Sequence, residues 1–179
     1  MCKGAKKGSD CVFKVGDKVI YGSEGVFAVV DFTTSPIDKC DERVFYILSP
    51  IFGSSTNKIL TPAEGGNVLI RAVIDKEAAL SLIDEIPEIG EVEVEKERNR
   101  REAYRNAMIS GDGRDYVKII KTVRRRRAEF IAQKRRISET DTDFEDRARK
   151  CLFGELSVAL GIEPQQVSGF ITERLGYSI

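Results

Sequence analysis

The sequence predicts an α+β chain in two parts, a small and strongly bent β-barrel followed by a compact all-helical domain. Three observations predict it. Up to about residue 71, short β-branched and aromatic runs alternate with glycine turns. Beyond Asp75, apolar residues recur at helical spacing. Around Ile74 one pattern gives way to the other, which places the join within residues 71–90. The expected parts are a flexible basic tail over residues 1–11, a barrel over residues 12–73 and a helical domain over residues 74–179.

The elements follow in order. The tail, MCKGAKKGSDC, is polar and basic and lacks the apolar core of a signal peptide. FKVGD leads into a strand KVIY at residues 18–21, and GSEG at residues 22–25 is a turn. VFAVVDFT at residues 26–33 has no helical period and reads as a strand. Ser35-Pro36 and residues 38–41 break it. RVFYIL at residues 43–48 and NKILTP at residues 57–62 are two further strands, with a turn around Gly53.

Asp75 can cap a helix whose apolar face is Ala78, Ala79, Leu82, Ile83 and Ile86, ended by Pro87 and Gly90. A charged helix is expected over residues 91–109, stopped by SGDG at residues 110–113. The next helix should run from about Arg114 to Ile137. Thr142 with Glu145 has the form of a capping box, and that helix should reach Leu160 before Gly161. Pro164 suits the first turn of a last helix ending near Leu175.

Composition narrows the chemistry. Lys plus Arg number 29, and so do Asp plus Glu, so any contact with a polyanion must come from local segregation of charge. There is no histidine, which removes Ser-His-Asp and Cys-His catalysis and His-containing zinc sites. Cys2, Cys11, Cys40 and Cys151 form no Cys-x-x-Cys pair and fit a reducing cytosol. No Gly-rich phosphate loop is present, and no apolar run is long enough to span a bilayer. The expectation from these exclusions is a cytoplasmic protein that is not an enzyme and holds no metal.

The stretch YVKIIKTVRRRRAEFIAQKRR at residues 116–136 reads as a helix dense in positive charge. Successive residues turn about 100° around a helix, so four consecutive arginines cannot share a face. Tyr116, Ile120, Val123 and Phe130 form an apolar stripe that also takes in Arg127. A half-buried arginine needs an acidic partner, and Glu155 on the following helix is the expected one. Lys118, Lys121, Arg125 and Arg136 lie opposite the stripe, either solvated or touching phosphates.

Several phrases in this order resemble the CarD-like family of bacterial transcription regulators. They are FKVGDKVIY at residues 13–21, YIL at 46–48, NKILTP at 57–62 and LIDEIP at 82–87. RNRREAY at residues 98–104, SGD at 110–112, RRR at 124–126 and FGELSVALGI at 153–162 complete the match. The resemblance implies a Tudor-like (SH3-like) N-terminal barrel that docks on the β subunit of bacterial RNA polymerase. It also implies a helical domain on promoter DNA at the upstream edge of the melted bubble, where such proteins stabilise the open complex. The polymerase-contacting strand would be Asn57, Lys58, Ile59 and Leu60. An edge strand can join a partner's sheet through backbone hydrogen bonds, whereas an edge lysine can also serve only to discourage aggregation.

Arg98, Arg100, Arg101 and Arg105, with Lys118, Lys121 and Arg125, are the expected phosphate contacts. Glu93, Glu95, Glu97 and Glu102 are interleaved with those arginines, with i,i+4 pairs such as Glu97–Arg101 expected, and a salt-bridged solvated helix is the competing reading. The sequence departs from the family in one respect. A tryptophan wedge is commonly found shortly before the RNRREAY phrase, and this chain has none; the position falls near Glu93 and Val94. The alternative is therefore a polymerase-binding adapter with little direct DNA contact.

Overall fold

The structure is a computed structural model describing residues 13–34, 43–53, 57–94 and 96–179. The expected tail over residues 1–11, the break over residues 35–41, and Cys2, Cys11, Cys40 and Glu95 lie outside the described residues. The fold is α+β, with a five-strand antiparallel sheet and five α-helices among the described residues. The strands are β1 (Lys18–Tyr21), β2 (Gly25–Thr34), β3 (Val44–Pro50), β4 (Ile59–Pro62) and β5 (Ile70–Ala72), in sheet order β4-β3-β2-β1-β5. The helices are α1 (Lys76–Glu85), α2 (Arg100–Ile109), α3 (Gly113–Ala132), α4 (Glu139–Leu160) and α5 (Pro164–Leu175).

The chain divides into two compact units. One holds the described residues up to Lys18 with Phe27–Asn67; the other holds Val19–Val26 with Val68–Ile179.

In the first unit, β2 pairs antiparallel with β3, and β3 with β4. The register of β2 against β3 shifts between Val29 and Asp31, which inserts one residue and bends the strand. Buried Tyr46 lies at the centre, with the rings of Phe13 and Phe32 at 6.0 and 5.6 Å. Its hydroxyl accepts a bond from the Phe13 N–H at 3.2 Å. The turn before β1 is closed by Asp17, which accepts from the Lys14 N–H at 2.7 Å, and Gly16 supplies the positive φ of 96°.

In the second unit, Val19, Ile20 and Tyr21 pair with Ala72, Arg71 and Ile70 of β5, a strand the sequence pattern did not single out. Its core is one apolar cluster drawn from every helix: Leu82 and Ile83, Tyr104 and Met108, Ile120 and Val123, Leu152 and Leu156, Val167 and Ile171. Asp75 caps α1 by accepting from the Ala78 N–H at 2.8 Å, as expected. Pro164 opens α5, and Gly161 closes α4 with φ 70°.

Three helix boundaries differ from expectation. Residues 90–94 are irregular, and α2 starts at Arg100 behind a 3-10 turn, Glu97–Asn99. The Val92 N–H donates to Thr122 Oγ1 at 2.9 Å, and Val92 packs against the core, so its backbone is satisfied outside a helix. Helix α3 ends at Ala132 rather than Ile137. Lys134 adopts φ 54° there, and the Arg135 N–H donates to the Phe130 carbonyl at 2.8 Å, a left-handed stop made without glycine. Helix α4 begins at Glu139, capped by Ser138. Thr142 and Glu145 are therefore inside the helix, not its cap, and Glu145 is buried against arginines instead.

Candidate docking edge and nucleic-acid interface

Strand β4 stands last in the sheet order, so its outer edge has no ladder partner among the described residues. Ile59 and Leu60 pair with Leu48 and Ile47 across the inner edge. Asn57 and Lys58 precede the strand and are exposed, and Leu60 is 43% exposed. A lysine and a leucine thus stand in solvent beside a strand edge that has no ladder partner among the described residues, the arrangement a partner strand can extend.

The seven cations expected to touch phosphate separate into two groups. Arg98, Arg101 and Arg105 are exposed and form no ion pair among the described residues. Their spacing of three and four residues lets them share one side of the 3-10 turn and α2. Arg101 and Arg105 line a cleft of about 650 Å3 that also holds Arg147, Glu139, Asp143 and Asp146, so positive and negative side chains are balanced there.

The other four are engaged inside the unit. Arg100 is bound by Glu97 and by Asp141 at 2.9 Å. Lys118 is bound by Asp115 at 2.8 Å. Arg125 is bound by Glu91 at 2.6 Å and by Glu129, and these bonds hold its guanidinium above the usual range. Lys121 donates to the backbone carbonyls of Pro87, at 3.2 Å, and Ile89. Arg136 lies beyond the end of α3 and is exposed.

Behind this surface is a frame of buried carboxylates. Asp141, fully buried, binds Arg100 and, at 3.3 Å, Arg126. Arg126 reaches Glu97 at 2.7 Å, and Glu97 binds Arg100, which closes a ring of four alternating charges. The Tyr104 hydroxyl donates to Asp141 at 3.2 Å; burial, then the Asp141 charge, push the Tyr104 phenol above its usual range. The ring joins the 3-10 turn and α2 to α3 and α4.

The expected Arg127–Glu155 pair is not formed. Arg127 binds Glu145, which also takes Arg149 at 3.1 Å. Glu155 is taken by Arg71 of β5 in a two-pronged pair, with a prong of 2.8 Å, and also accepts the Ile74 N–H at 3.3 Å. Arg71 further donates its Nε to the Gly111 carbonyl at 2.9 Å. The reason is reach: Glu145 lies nearer the start of α4, beside the C-terminal half of antiparallel α3, whereas Glu155 lies ten residues further along.

The expected wedge position is not on a helix. Glu93 is exposed, Val94 is half-buried, and both belong to the irregular segment before α2. Among the described residues no group of three His, Cys, Asp or Glu side chains could hold a metal, and no helix is long and apolar enough to cross a membrane. Cys151 is buried, and burial pushes its thiol up to about 11.

Sequence reasoning missed Asp141, Arg126 and Arg71 as paired groups. The expected i,i+4 pair Glu97–Arg101 is not formed among the described residues: Glu97 takes Arg100 at i,i+3 and Arg126 instead, and the other partners are brought together only by packing of elements distant in sequence. No protein-family model matches the chain, and no curated protein matches it.

Proposed function

We propose that the protein is a regulator of transcription initiation that docks on the β subunit of bacterial RNA polymerase through the outer edge of β4. The β4 edge, without a ladder partner among the described residues and with Asn57, Lys58 and Leu60 exposed on or beside it, carries this reading. The three paired strands β2, β3 and β4, bent by the shift at Val29, serve in it as a Tudor-like barrel. Lys58 answers an acidic spot on the polymerase. The helical unit then meets promoter DNA at the upstream edge of the bubble, with Arg98, Arg101 and Arg105 on phosphates. It acts by lengthening the life of the open complex and uses no cofactor.

The test is titration of the full chain against a polymerase β-subunit fragment. Lys58→Glu should weaken binding at least tenfold while the thermal unfolding curve is unchanged. Equal affinity for wild type and variant would overturn the docking assignment.

A second reading, an adapter with little DNA contact, is favoured by the pairing of Arg100, Lys118 and Arg125 with carboxylates. Binding to a forked promoter fragment across a salt series separates the two. Neutralised phosphates steepen the salt slope by roughly 0.9 each on duplex DNA. A slope near zero, with fork and duplex bound equally weakly, selects the adapter.

A further inference from the structure

In the helical unit, a recess of about 630 Å3 opens beside residues 89–91 and α3. Ile89, Ile120, Ala128 and Ile179 supply its apolar lining, and Tyr177 stands in it 42% exposed. Three cations and one carboxylate share the recess: Lys121, Arg124, Arg125 and Glu91. Arg125 is already spent on Glu91 and Glu129.

Lys121 and Arg124 differ from it. Lys121 bonds the carbonyls of Pro87 and Ile89, and Arg124 bonds the Ser178 carbonyl. A carbonyl orients a cation but does not cancel its charge. These two cations, one turn apart on α3, therefore keep an uncancelled positive charge beside an apolar, aromatic-walled recess among the described residues.

That combination selects a flat apolar group carrying an anion. A duplex backbone alone would leave the apolar lining unused, because its bases are stacked away from the surface. A single-stranded nucleotide uses both features, with its base stacking on an aromatic ring and its phosphate meeting cations.

We propose that this recess holds one unstacked nucleotide of a single DNA strand, its base against Tyr177 and its phosphate on Lys121 and Arg124. The inference rests on the promoter reading above and names the part of the DNA that the helical unit takes.

The chain contains no tryptophan, so Tyr177→Trp places a single fluorescent reporter in the recess. Titration of this full-length variant with pentathymidylate should quench the emission saturably, and blunt duplex should not. Lys121→Gln and Arg124→Gln, each added to the reporter, should weaken the oligonucleotide roughly tenfold or more with unfolding midpoints unchanged. Because Arg124 also holds Ser178, Lys121→Gln serves as the deciding variant if Arg124→Gln unfolds.

Absent quenching, or quenching indifferent to Lys121→Gln, overturns the proposal. Thymidine monophosphate binding as tightly as the pentamer overturns it in favour of a free-nucleotide site. Tighter binding of an acidic Phe-Asp peptide overturns it in favour of a protein partner. Polymerase capture by the same variants tests the underlying reading separately: capture retained with quenching lost rejects the recess alone, and capture lost by wild type rejects the reading itself.

Discussion

Arg71 holds the carboxylate of Glu155 with two guanidinium nitrogens, joining the last strand of the sheet to the C-terminal part of α4 across 84 residues of sequence. Glu155 is 1% exposed and Arg71 26%. Removing one partner of such a pair strands the other in a medium that solvates it poorly.

Arg71→Ala should therefore destabilise the protein by about 3–5 kcal/mol, the usual cost of breaking a buried pair. The double-mutant cycle in urea with Glu155→Gln should show strong coupling. The cycle pairing Arg127→Ala with Glu155→Gln should be additive, since Arg127 is bound to Glu145. Coupling in the second cycle and additivity in the first would reverse the assignment.

Asp141→Asn removes the charge on which two arginines converge while keeping the side chain's size. Arg100 and Arg126 remain partly solvated, so the loss should fall near the low end of about 3–5 kcal/mol. Tyr104 keeps a hydrogen-bond acceptor in the amide. A midpoint of urea unfolding equal to wild type would show that the ring contributes nothing net.

Gly111→Ala should cost more than the about 1–2 kcal/mol that a left-handed backbone imposes on a residue with a Cβ. Gly111 has φ 67°, and an added Cβ would meet Leu69 Cδ2 at 2.7 Å. Gly161→Ala, at φ 70° with open space around it, carries the backbone penalty alone and calibrates the comparison. Thermal unfolding of the two variants side by side reads the difference.

The Cys151 thiol should resist iodoacetamide at pH 8 in the folded protein and react in urea, as read by peptide mass mapping. Its pKa is raised, chiefly by burial, from the ordinary 9.0 to about 11. A raised value means that this contribution to stability is whole below about pH 9 and is lost as pH climbs toward 11. Unfolding free energy of wild type should fall more steeply with pH in that window than that of Cys151→Ala.

Local chemistry was legible in the sequence where it acts within a few residues. Strand β1, the Asp75 cap, the Gly161 stop and the Pro164 start all follow from backbone preferences that neighbours cannot easily override. The start of α2 was misread because Glu91, Val92 and Val94 fit a helical pattern equally well, whereas the Val92 N–H is bonded by Thr122, thirty residues on. Arg127 was rightly seen to need a carboxylate. Which carboxylate depended on the offset between two antiparallel helices, and composition does not encode that offset. The sequence offered Arg98, Arg100, Arg101 and Arg105 alike; that Arg100 alone of the four is engaged by a buried carboxylate among the described residues was not legible, because Asp141 comes to it from another helix.

The closed ring of Glu97, Arg100, Asp141 and Arg126 has a consequence at a distance. Four alternating charges on a loop sum to zero and nearly cancel as a dipole, so their potential decays faster than that of a single ion. Of the four consecutive arginines, Arg125 and Arg126 are matched by carboxylates and are nearly silent beyond a Debye length of about 8–10 Å, whereas Arg127 shares Glu145 with Arg149 and is only partly cancelled. A polyanion approaching α3 senses less than the written sequence suggests, and Arg124, held by a carbonyl and not a carboxylate, keeps the fullest field of the run.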